Sequence, residues 1–158
     1  HYIADAIPHW DYKLHSLVEN EDIAKKNIIL IRATFWLDLL RSALDALLGH
    51  ELLRLRQAYA REASDPKTLG VVASGTVASV AALFRVSLVL FGHTAPIATP
   101  AALDAAGRAM SIATEPVAAL WTRRVAQGPP CVPDLFEGYL AAVAAAVRVI
   151  DTFSRGGN

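Results

Sequence analysis

Three prolines in this chain stand where a helix can begin and where a helix interior could not tolerate them. Asp65-Pro66 and Thr99-Pro100 set a capping residue directly before proline, and Thr114-Glu115-Pro116 sets one two residues ahead. Proline has no N–H to donate and its φ is fixed, so it suits the first turn of a helix and costs about 3 kcal/mol further in. A fourth boundary is the loop Gly128-Pro129-Pro130-Cys131-Val132-Pro133, followed by Asp134 and Glu137 in the spacing of a capping box. These marks predict helices over about 66–91, 99–110, 114–126 and 134–153, the first of them open to interruption at Ser74-Gly75. Ahead of them, the acidic run Glu19-Asn20-Glu21-Asp22 suits the positive end of a helix. From there a helical pattern runs from Ile23 to Ala63. Ile28, Ile31, Phe35 and Leu39 share one face, and so do Leu48, Leu52, Leu55 and Tyr59. Gly49 lies inside this run, where it costs only about 1 kcal/mol against alanine.

No stretch alternates apolar and polar residues between hairpin turns, so strands are not expected. The expectation is an all-α fold: a single bundle of five to six helices with a long first helix. An irregular segment covers residues 1–20 and the bundle domain covers 21–155. With 158 residues there is room for one domain. The apolar residue types make up 54%, which excludes intrinsic disorder. Fifteen basic residues balance fifteen acidic ones, so a nucleic-acid partner is not expected. One cysteine, Cys131, excludes an internal disulfide and a multi-cysteine zinc module, and it reads as an incidental thiol. The chain starts at His1, which reads as a fragment or a processed product. No secretory signal is visible. Gly70 to Gly92 has the length of a membrane span, but Arg85 lies well inside it, so a buried helix in a cytoplasmic protein is the reading, with no membrane partner.

Strong catalytic patterns are absent: there is no phosphate loop, no dinucleotide fingerprint and no His-Glu-x-x-His. His15 and Glu19 would face one another on a helix, but a metal site needs three or four converging ligands, and neither metal nor cofactor is expected. His50, Arg54, Gln57 and Arg61 fall on one helix face, which is either a solvated surface or an anion-binding one. Arg56 lies about 40° round from Leu52 and borders the apolar face, so it is expected to be half-buried and paired. Arg85 sits in an apolar window and needs a carboxylate or carbonyls to receive it. Asp38 is the first expected partner and Asp45 the second. Phe35, Trp36, Phe84, Phe91 and Trp121 read as core, although so apolar a chain can also leave an exposed patch for an interface.

The run from Leu47 to Tyr59 (LLGHELLRLRQAY), with Asp65 to Leu69 (DPKTL), Ala81 to Arg85 (AALFR) and the acidic run ahead of the long helix, resembles the C-terminal helical domain of bacterial nucleotidyltransferase-fold proteins. The likeness spans residues 10–153. In that family the catalytic domain carries Gly-Ser and then an Asp-x-Asp pair that holds magnesium; this chain has no Asp-x-Asp. The resemblance therefore implies the accessory part: a non-catalytic helical domain that helps to hold a nucleotide or small-molecule substrate beside a catalytic domain, or that dimerises. Carried over by position, Arg54, Arg56, Gln57 and Arg85 would contact substrate, and a homo-oligomer is expected. Such domains also resemble the HEPN ribonucleases, whose Arg-x(4–6)-His motif this chain lacks: eight residues separate Arg41 from His50 and seven separate Arg85 from His93. The alternatives are the ligand-binding and dimerisation domain of a transcriptional regulator, or a degenerate HEPN-type ribonuclease or antitoxin partner.

Overall fold

The computed structural model describes residues 21–126 and 133–155. The expectations for His15, Glu19 and Cys131 lie outside the described residues. Five helices follow one another: α1 (Glu21–Glu62), α2 (Pro66–Leu90), α3 (Thr99–Met110), α4 (Glu115–Val125) and α5 (Pro133–Arg155), with no strand among the described residues. The all-α expectation holds. Packing divides the chain into two units, one up to Leu39 and one from Leu40 onward, with the division inside α1.

The first unit contains the N-terminal part of α1. Its large apolar side chains are exposed: Ile28, Ile29, Leu30, Ile31, Phe35, Trp36, Leu37 and Leu39 are each between 48% and 68% accessible. Phe35 and Trp36 are therefore not core, contrary to expectation; their rings meet edge to face at 6.0 Å on the helix surface. Helical periodicity identifies the face a residue lies on, but it does not say whether anything covers that face.

The second unit holds the core. Leu44, Leu48, Leu52 and Leu55 bury one stripe of α1 at spacings of four, four and three. Gly49 interrupts nothing, because the flanking leucines keep their turn-by-turn register. Helix α2 is the centre of the unit and packs against α3, α4 and α5. Leu69, Ala73, Val77, Val80, Phe84 and Leu88 are buried along it, and it runs unbroken through Ser74-Gly75. Among the described residues it is the one helix long and apolar enough to cross a membrane, and eleven of its residues are buried in this fold. Facing it, α3 contributes Ala102, Leu103, Ala106 and Met110, and α5 contributes Phe136, Tyr139, Val143, Ala146 and Ile150. The many alanines and glycines on these faces let helix axes approach closely, since the interaxial distance is set by the side chains between them.

The helix ends follow the proline logic with differences of a residue. Asp65 caps α2: its carboxylate accepts from the Lys67 N–H at 3.0 Å and from the Thr68 hydroxyl at 2.6 Å. Thr99 is already inside α3, with Ala98 at the cap and no side-chain bond there. Helix α5 starts at Pro133, so Asp134 falls in its first turn, and Glu137 accepts from the Tyr59 hydroxyl. Helix α2 ends with Gly92 at φ 76°, where glycine avoids the Cβ clash of the left-handed region, and the His93 N–H reaches back to the Leu88 carbonyl at 2.8 Å.

Candidate functional site

The polar stripe of α1 points to solvent. His50, Arg54, Gln57 and Arg61 are exposed, on the side opposite Leu52 and Leu55. Arg56 is exposed as well, which corrects the expectation that it would be half-buried. The buried stripe of α1 is narrow, and a long arginine stem at its edge carries the guanidinium outward.

Arg85 is half-buried on α2, and its Nη2 donates to the carbonyl oxygen of Ile97 at 2.8 Å. The expected carboxylate is replaced by a carbonyl in the α2–α3 connection, so the guanidinium fastens that loop to the helix. Arg124, at the end of α4, donates from Nη1 to the Ser74 carbonyl of α2 at 2.8 Å and so ties two helices together. Arg54 and Gln57 thus share an exposed face of α1, Arg56 is exposed on a different side of the same helix, and Arg85 lies on α2, held by a backbone carbonyl of the following loop.

A buried polar chain joins α2 and α5. The Tyr139 hydroxyl donates to Thr76 Oγ1 at 3.0 Å, and the Thr76 hydroxyl donates to the Val72 carbonyl at 3.0 Å. Burial pushes the Tyr139 phenol far above its ordinary range. The Arg54 charge pulls the other way, while the Glu51 carboxylate adds to the rise. Glu51 keeps one oxygen, Oε2, buried without a hydrogen-bond partner. Beside this chain Tyr59 stacks on Phe136 with centroids 6.0 Å apart, and Phe136 meets Tyr139 edge to face at 6.3 Å. The hydrogen bond to Glu137 holds the Tyr59 phenol above its usual range. The Tyr139–Thr76 and Tyr59–Glu137 hydrogen bonds tie α5 to α2 and to α1.

A concave apolar surface lies elsewhere in the second unit. Phe91, at the end of α2, and Ile112, between α3 and α4, face Ala145, Arg148, Val149, Thr152 and Phe153 of α5 across a cleft of about 500 Å³. That volume is within the range of small-molecule sites, about 300–1,000 Å³, but the cleft is shallow and open to solvent along most of its mouth. The Phe91 and Phe153 rings form one wall, 4.8 Å apart and tilted by 57°. Sequence reasoning placed Phe91 in the core and missed the cleft. The available signal was Arg148, an arginine among alanines and valines in the same way as Arg85 among its apolar neighbours.

Among the described residues no group of three or more His, Cys, Asp or Glu side chains converges as a metal site. No protein-family model, curated protein or solved structure matches this chain.

Proposed function

We propose that this chain is a non-catalytic helical accessory domain that self-associates, with Ile28–Leu39 of α1 as the surface that its copies share. One observation carries the reading: eight large apolar side chains of that segment are exposed together. Their summed accessible area is on the order of 1,000 Å², distributed round the helix. It is near the roughly 800 Å² that one partner contributes to a standard interface. Ile28 to Ile31 are consecutive, so they point to all sides of the helix, and a helix apolar all round is one that neighbours enclose. A homo-oligomeric helical core satisfies that condition with material the chain itself supplies. The likeness to the accessory domains of nucleotidyltransferase-fold proteins supports the same reading. On that likeness a cytoplasmic partner domain would bring the chemistry, and Arg54, Arg56, Gln57 and Arg85 would be the residues to meet a nucleotide or small-molecule substrate.

The test is molar mass by light scattering and sedimentation across a wide range of protein concentration. The expected outcome is a homo-oligomer for the parent chain, and monomers for Phe35→Glu and Trp36→Glu with unchanged far-ultraviolet circular dichroism. A monomeric parent chain, or variants that associate as well as the parent, would sink the proposal. The apolar cleft favours a second reading, the ligand-binding and dimerisation domain of a transcriptional regulator.

A further inference from the structure

The cleft between Phe91, Ile112 and the last turns of α5 has an unusual inventory of hydrogen-bond donors. Phe91, Ile112, Ala145, Val149 and Phe153 offer no polar side-chain atom. The Thr152 hydroxyl spends its proton on the Arg148 carbonyl at 2.8 Å. That leaves the Arg148 guanidinium as the side-chain donor of the lining. Among the described residues it has neither an ion-pair nor a hydrogen-bond partner.

The local field agrees in sign. The Ser87, Leu88 and Val89 carbonyls near the end of α2 are taken up by the N–H groups of Phe91, His93 and Gly92. Arg148 stands about two turns before the end of α5, outside the last turn in which the helix dipole acts. Asp151, one turn further along, has an interaction partner of its own. Arg148 places a positive charge at the cleft rim, and a guanidinium prefers a carboxylate-like anion in a two-point contact.

We propose that this cleft binds a small amphipathic acid, with an aromatic or branched apolar body against Phe91, Val149 and Phe153 and a carboxylate on Arg148. The site is independent of the association surface on α1, since its lining lies wholly in the second unit. The apolar wall supplies most of the contact, and the charge selects the acid over a neutral molecule of the same shape.

The experiment uses the full chain and two probes, 2-naphthoate and 2-naphthamide, followed by calorimetry and by backbone amide NMR shifts. The expected result is saturable naphthoate binding with shifts at Phe91, Ile112, Val149 and Phe153, and amide binding weaker by about tenfold. Arg148→Gln should bring the two probes to equal affinity, and it should fold normally because Arg148 is exposed. Ala145→Trp, which fills the cleft, should abolish binding of both. Equal affinity of acid and amide for the parent chain, indifference of naphthoate to Arg148→Gln, shifts confined to Ile28–Leu39, or no saturable binding would each overturn the proposal. A naphthoate result that stands while the chain proves monomeric would leave this site intact and remove only the association reading.

Discussion

A methyl group at position 107 would have nowhere to go. A Cβ on Gly107 would lie 2.7 Å from Thr114 Oγ1 and 3.0 Å from the Ile112 carbonyl oxygen, and the second of these is backbone. Alanine gains up to about 1 kcal/mol over glycine inside a helix, whereas overpacking costs about 1–3 kcal/mol. The clash wins, and Gly107→Ala should lower stability by about 1–2 kcal/mol in a denaturant titration; a stabilised variant would contradict the packing described here. Tyr139 yields a prediction with a pH sign. Its phenol is raised in the folded state, first by burial, so folding favours the protonated form. The associated stability is fully present below the ordinary tyrosine value of about 10 and is lost as pH rises above it. Tyr139→Phe should cost about 1 kcal/mol at neutral pH, through the lost bond to Thr76, and should flatten the alkaline fall in melting temperature. An alkaline limb identical in the two proteins would show that some other group controls it. Neither residue was legible in the sequence: Gly107 becomes special only because Thr114 folds back against it, and Tyr139 only because Thr76 meets it across two helices.

At the scale of elements, the helix boundaries were legible and the fates of their faces were not. Proline and capping side chains act through the backbone within a few residues, so Asp65-Pro66 marks the start of α2 without any tertiary information. The Asp65 carboxyl is held below its ordinary value, first by the Thr68 hydroxyl and then by the Lys67 N–H. A lowered value means that the cap contributes above the ordinary carboxylate range near 3.8 and is lost as pH falls below it. Asp65→Ala should therefore lower the melting temperature at neutral pH, and the difference from the parent chain should vanish in acid. A gap that persists well below the ordinary value would mean that Asp65 acts other than as a carboxylate. Where the sequence misled, the missing information was tertiary. Arg56 borders the apolar stripe of α1 by angle alone, yet its stem is long enough to reach water. Arg85 needed a partner, and the loop after α2 offered the Ile97 carbonyl before any carboxylate did. Phe35 and Trp36 have the same spacing as core residues, and only the fold distinguishes a covered face from an open one.

For the molecule as a whole, the division at Leu39 and Leu40 separates two kinds of stability. Among the described residues the buried apolar ones run from Leu44 to Ile150, all in the second unit. In the first unit, residues 28–39 expose apolar surface and contribute nothing to that list. A chain beginning at Leu40 keeps every buried leucine of α1, because the first of them, Leu44, lies a full turn inside the new end. It should unfold cooperatively with a melting temperature within about 4 °C of the parent chain, the shift expected for less than about 1 kcal/mol. Its molar mass should be that of a monomer at every concentration, because the surface proposed to join copies has been removed. A shortened chain that still associates would move the interface onto the second unit, with the exposed Leu47, Leu53, Val71 and Val89 as the surface to examine next. A shortened chain that fails to fold would mean that the apolar part of α1 stabilises the bundle itself, and its exposed leucines and isoleucines would then have to be accounted for as folding contacts rather than as an interface.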